Sequence, residues 1–302
     1  MSQSPRPGAH ALARPDAVTT SPVAAPPPRA IGGSVPARKS NSAARQIVGK
    51  LVQLFKSVLR YWLLAVLVAL WQFASTYWES LQPLLPPPTD VLAAGQDLIS
   101  RGSLQKDILA SLKRVGVALL AASLVGIPLG AAIGGSRRIA WSLEPVINFI
   151  RPIPPLAWIP LSIMWFGIGD AQNEFIIFLA AVFPILLNTV DGVRNVDRQL
   201  IRASRTLGAT QTSIVHTVIL PATLPSLFVG LRVGTGIAWM ALVAGEIVAA
   251  SSGLGYLINQ GRFLFRSDFI IVGMVMIGVI GLLLDALLRL AQSLVMPWRD
   301  KQ

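Results

Sequence analysis

The chain has 302 residues, of which 53% are hydrophobic and only 13% charged, with a mean hydropathy of +0.61. A soluble domain carries roughly a quarter charged residues, so too little polar surface exists here to cover a globule in water, and the composition is that of an integral membrane protein. Absence of cysteine excludes disulfides, thiolate nucleophiles and Cys-based metal sites, and with only His10 and His216 a multi-histidine metal centre is excluded too. No Gly-x4-Gly-Lys-Ser/Thr phosphate loop occurs, so any ATP that drives the protein is bound by another chain.

Residues 1–45 hold eight of the 22 prolines and no apolar run. Such a segment cannot offset the entropy of ordering and reads as a disordered cytoplasmic tail. It lacks the apolar core of a secretory signal. Residues 46–60 read as a basic amphipathic helix, with Ile47, Leu51, Leu54 and Val58 on one side and Lys50 and Lys56 elsewhere, either lying on the inner leaflet or simply extending the first span.

Six apolar stretches then approach the length of about 20 residues needed to cross a bilayer: Tyr61–Tyr77, Val115–Gly135, Pro145–Gly167, Phe175–Val190, Ser226–Ala250 and Phe269–Val295. They define an all-α, polytopic permease domain over 61–295, followed by a short cytoplasmic tail at 296–302. An even count puts both termini on one side. Seventeen Lys and Arg lie on that side against six on the other, which makes it the cytoplasm. The net charge of +12 is thereby mostly topological, and binding of nucleic acid is not called for. Lipid is the first partner of such a surface. Between the first two spans, Pro88 stops any helix and Thr89 or Asp90 caps a new short one on the outer face.

The loop 191–221 is too long to be a mere connector. Asp197 caps a helix with Leu200, Ile201, Ser204 and Leu207 on one face, and Gly208 supplies the left-handed residue that ends it. Thr210 caps a second helix bearing Ile214, Val215, Val218 and Ile219, which Pro221 ends. Arg194, Arg198, Arg202 and Arg205 form a basic stripe that suits either lipid phosphates or a polar partner surface.

Ala203, Gly208, Val218, Leu220 and Pro221 are spaced as in the signature loop of ABC importer permeases, Glu-Ala-Ala-x3-Gly-x9-Ile-x-Leu-Pro, with Arg202, Ser204 and Val218 departing from it. The run Arg151-Pro152-Ile153-Pro154-Pro155-Leu156-Ala157-Trp158-Ile159-Pro160 and the segment Gly245-Glu246-Ile247 to Gly253-Leu254-Gly255-Tyr256 also resemble the permeases that serve nitrate, aliphatic sulfonates and taurine. The resemblance covers about 80–302. It implies a type I ABC importer permease fold in a bacterial inner membrane, with Arg198, Arg202, Ala203, Ser204, Arg205, Gly208, Leu220 and Pro221 in an ATPase-coupling loop. It also implies a separate ATPase subunit that binds ATP and Mg, a second permease copy, and a periplasmic or lipid-anchored solute-binding protein. The chain itself would hold no cofactor or metal and catalyse no reaction.

Four prolines in the third stretch each remove a backbone donor, and broken backbone at membrane depth survives only where it is buried in protein or lines a wet cavity. Arg151 beside them is costly against lipid. Arg151, Pro152, Pro155 and Trp158 are therefore candidates for the substrate pathway, the other readings being a structural arginine near the cytoplasmic interface for Arg151 and a packing or interface anchor for Trp158. Arg232 and Glu246 stand about 21 Å apart on one helix and need partners elsewhere; both are candidates for the substrate pathway or its gate, and Glu246, near the outer end, is alternatively a bond to a neighbouring helix. Asp285 and Arg289, at i and i+4, satisfy each other. Glycines at 126, 130, 134, 230 and 234 suit close helix packing or a pathway lining. The alternative reading, a stand-alone secondary transporter or channel for a small anion, would need ionisable residues at midplane; few candidates exist and the long hairpin would go unexplained. A membrane enzyme would need a cluster of His, Asp, Glu or Ser within the spans, and the sequence shows no such constellation.

Overall fold

A computed structural model describes residues 62–63, 65–78 and 82–296. The expected tail at 1–45 and amphipathic helix at 46–60 lie outside the described residues, as does all of 296–302 but Met296. Among the described residues the secondary structure is entirely helical. In chain order it comprises α1 (Ala65–Tyr77), α2 (Pro88–Ser100), α3 (Ser103–Gly135), α4 (Arg137–Ile150), a 3-10 turn (Pro155–Trp158), α5 (Ile159–Phe166), α6 (Asp170–Arg194), α7 (Arg198–Thr206), α8 (Gln211–Ile214), a π turn (Val215–Ile219), α9 (Leu220–Ala249), α10 (Leu254–Phe263) and α11 (Ser267–Val295).

Four continuous helices are long and apolar enough to cross a membrane: α3, α6, the joined α8–α9 rod from Gln211 to Ala249, and α11. The third expected span is not one straight helix. It breaks by 82° between α4 and α5, because Pro152, Pro154 and Pro155 cannot donate the backbone bonds that would carry the helix through. The helix α1 is shorter than a full crossing over its described residues. The second span is much longer than its apolar core: α3 starts at Ser103, so Lys106, Lys113 and Arg114 belong to a helix and not to a loop. Pro88 also acts otherwise than expected. It opens α2 at the first helical turn, where its missing N–H costs nothing, and no side chain caps that end.

The central helix is α6, packed along α3 on one side and α9 on the other. Small residues make this possible. A Cβ on Gly130 of α3 would lie 2.6 Å from the Leu186 carbonyl oxygen of α6, and one on Gly230 of α9 would lie 2.7 Å from the Asn188 Cβ. The glycine ridges of α3 and α9 thus serve packing against α6. Ala118, Ala122, Ile177, Ala181, Ile185, Ala238 and Leu242 fill the resulting seams. The helix α10 doubles back along the first turns of α11, with Ile258 against Gly273 and Gly261 against Ile270.

Candidate functional site

Three sites emerge from this frame, beginning with the hairpin at 191–221. The carboxylate of Asp197 accepts from the Gln199 N–H at 2.7 Å and caps α7. Gly208 has φ +79°, the left-handed conformation expected after a helix end. The Thr210 hydroxyl accepts from the Ser213 N–H at 3.3 Å and caps α8. Pro221 does not end the second helix. The Leu220 N–H instead bonds the Val215 carbonyl across a π turn, and Pro221 takes an N-terminal position of α9, so hairpin and bundle are joined by one continuous rod. A wide turn here leaves the proline without a clash against the preceding coil.

No residue of α7 is buried. Leu200 is 54% exposed and Leu207 87% exposed, while Ile214 is the buried anchor of the hairpin. Arg198, Arg202, Ala203 and Arg205 all face solvent and Ser204 is half-buried. The fourth member of the expected basic stripe, Arg194, stands apart at the end of α6 and pairs with Glu144 of α4 at 2.5 Å.

The α4–α5 break makes the second site. Arg151, Pro155 and Trp158 line a cavity of about 350 Å3 together with Pro184 and Asn188 of α6 and Val233 and Ile237 of α9. Arg151 is exposed and has no ion pair among the described residues. Pro152, also exposed, is not among the residues lining that cavity.

At the opposite end of the bundle from the hairpin lies a buried polar network. Glu246, wholly enclosed, pairs with Arg114 of α3 at 2.6 Å and accepts from the Ser111 hydroxyl at 2.8 Å and from the Gly255 N–H at 2.9 Å. Arg114 also reaches Asp170 at the start of α6 at 2.7 Å and donates to the Ser252 carbonyl at 2.6 Å. Asp107 accepts from the Gly253 N–H at 2.8 Å, and Ser111 accepts from the Leu254 N–H at 2.9 Å. The N–H groups of Gly253, Leu254 and Gly255, where α10 begins, are thereby taken by side chains of α3 and α9. Glu246 thus has a complete set of partners and bonds neighbouring helices; Arg232, 14 residues back, has its own in Asp285 of α11. Asp285 is shared with Arg289, so the expected i, i+4 pair is half of a triad.

Arg114, Asp107, Ser111 and Asp170 are not recognisable as a unit from sequence, since they lie 56 to 146 positions from their partners. The one available signal was a buried-length Glu in an apolar helix, which demanded a cation somewhere.

The family described as binding-protein-dependent transport system inner membrane component matches residues 122–301. A putative ABC transporter permease protein of Methanocaldococcus jannaschii is 43% identical over 248 residues, covering 80% of this chain and 92% of the relative. The taurine transport system permease protein of Escherichia coli K12 is 39% identical over 244 residues, covering 79% and 88%. The nitrate import permease protein of Synechocystis is 34% identical, covering 79% and 89%. Among solved structures, the inward-facing MetNI methionine ABC transporter aligns with a TM-score of 0.54 at 22% identity, over 64% of this chain and 94% of that one, and so shares the fold. A family match spanning more than half the chain, with relatives aligned over four-fifths of it, makes the chain a multi-pass inner-membrane permease subunit of the binding-protein-dependent ABC importers.

Proposed function

We propose that this permease takes a small oxyanion, of the nitrate, sulfonate or taurine kind, from a solute-binding protein and passes it inward when a separate ATPase subunit, holding ATP and Mg, closes against the 191–221 hairpin. The observation that carries this reading is the hairpin itself. A nine-residue helix with no buried residue of its own, Leu200 bare on it and Leu207 bare just past its end, and a basic edge of Arg198, Arg202 and Arg205, is a surface awaiting a partner. The hairpin end, with both termini, is assigned to the cytoplasm by the charge bias of the loops.

The cavity at Arg151, Pro155 and Trp158 suits the inner part of the pathway, with Pro152 at its margin. Arg151 supplies positive charge, and α9 supplies the wall with Val233 and Ile237. A second copy of the chain across the pathway, or lipid, would cover the exposed apolar residues Met164 of α5 and Met240 and Val248 of α9. Glu246 and its partners lie at the outer end, where the solute-binding protein delivers. The relatives named for taurine, aliphatic sulfonates and nitrate support the anion class.

Purification of the tagged chain from its native membranes tests the coupling. Wild type should hold an ATPase subunit, and Leu200→Asp with Leu207→Asp should release it while the permease stays folded. Retention of the ATPase by that double variant, or a folded wild-type chain that elutes alone and carries solute down an ion gradient, would overturn the reading.

A further inference from the structure

A second basic cleft lies between α9 and α11, and neither the coupling hairpin nor the Arg151 cavity accounts for it. It has a volume of about 640 Å3 and is lined by Arg232, Asp285 and Arg289, with Val229, Val233 and Met296 as apolar wall and Gln292 and Ser293 at its edge. Asp285 Oδ1 accepts from Arg232 Nε, and its Oδ2 accepts from Arg232 Nη2 at 3.3 Å and from Arg289 Nε at 2.9 Å and Nη2. One carboxylate thus answers two guanidiniums, leaving one positive charge in the cleft among the described residues. Neither Nη1 group has a hydrogen-bond partner among the described residues. Each guanidinium is a planar fork whose remaining donors match an oxyanion.

The position adds to the argument. Arg232 lies about 21 Å along α9 from Glu246, and Arg289 about 9 Å from the end of α11, which places the cleft in the hairpin half of the bundle. Arg232 and Arg289 stay 46% and 62% exposed there, so their remaining donors are open to a ligand. Val233 lines this cleft and the Arg151 cavity alike, so the two spaces are neighbours across one residue of α9.

We propose that the Arg232–Asp285–Arg289 cleft is a binding site for a small monovalent oxyanion, held by the Nη1 edges that no described residue bonds, with its short apolar part against Val229, Val233 and Met296. It rests on the anion reading above and adds to it a place on the hairpin side of the pathway where the anion pauses before leaving. The same chemistry would recognise a phospholipid headgroup, and the test separates the two.

The chain is purified with its ATPase, free of nucleotide and solute-binding protein, in phosphatidylcholine nanodiscs. Equilibrium binding of radiolabelled ethanesulfonate is then measured, with nitrate as competitor. Saturable binding is expected, weakened about tenfold or more in Arg289→Gln through loss of charge-assisted bonds, and strengthened in Asp285→Asn, which removes the competing carboxylate. Arg101→Gln, an exposed arginine at the other end of the bundle, should bind as wild type. Equal binding in wild type, Arg289→Gln and Asp285→Asn would overturn the site. So would no binding in any of them, or displacement of ethanesulfonate by phosphatidylglycerol added to the discs, which assigns the cleft to a headgroup. Uptake into proteoliposomes is recorded in parallel, with ATP and the solute-binding protein added back. A wild type that carries the anion while binding ignores Arg289 sinks the cleft alone, whereas a complex that carries no anion sinks the broader reading and leaves the binding result standing.

Discussion

Arg114 and Glu246, 132 positions apart, meet as a buried pair with 2.6 Å between Nη1 and Oε1, and through them α3 and α9 are fastened to the start of α10. The pair is 3% and 0% exposed, so neither charge has water to fall back on. Removing one partner leaves the other uncompensated at a cost of about 3–5 kcal/mol. Arg114→Met is therefore expected to lower the melting temperature of the detergent-solubilised chain sharply, and Arg114→Met with Glu246→Leu to recover part of the loss. A single variant that melts with wild type would show the pair to be dispensable.

Contact between α3 and α6 gives a contrast within one helix. A methyl group on Gly130 would meet the Leu186 carbonyl oxygen at 2.6 Å and the Thr189 Cβ at 2.8 Å, while one on Gly116 would meet nothing within 4 Å. Gly130→Ala should cost about 1–3 kcal/mol by forcing the helices apart. Gly116→Ala should leave stability unchanged or raise it by up to about 1 kcal/mol. Thermal unfolding followed by size-exclusion chromatography distinguishes them, and equal behaviour would contradict the packing described.

Gly208 carries its constraint in the backbone alone, with φ +79° and open space where a side chain would go. A β-branched residue there is strained by about 1–2 kcal/mol, whereas asparagine tolerates the conformation. Gly208→Val should lose transport-coupled ATP hydrolysis while the bundle melts as before, and Gly208→Asn should keep most of it. Equal activities in the two variants would mean that hairpin geometry does not govern coupling.

For Arg151 the expectation concerns rate. It lines its cavity without an ion pair among the described residues, so Arg151→Gln removes charge without stranding a partner. Stability should hold and anion uptake should fall several-fold. Uptake at the wild-type rate with the same anion preference would take Arg151 out of the pathway.

How far these features were legible depended on the distance over which they act. The caps at Asp197 and Thr210 and the turn at Gly208 are local chemistry, written within a few residues, and they formed as the spacing demands. The prolines from Pro152 to Pro160 announced trouble in the backbone, but the sharp bend they make between α4 and α5 is set by what packs around it. Lys113 and Arg114 illustrate the opposite limit. Standing just before an apolar run, they resemble loop residues, and only the arrival of Asp170 and Glu246 from elsewhere in the chain makes an arginine at that depth affordable. Pro221 misled for a different reason, since a proline stops a regular α-helix but is accommodated after one wide turn.

That wide turn also fixes an angular phase. The π turn at Val215–Ile219 holds one more residue than an α-helical turn, and each residue rotates a helix by about 100°. Whatever grips Leu200 and Leu207 is thus geared to a defined azimuth of the whole rod down to Ala249. Deleting one residue from the turn would keep every contact surface intact and still point the hairpin away from its partner, as a key cut correctly but mounted askew on its shaft.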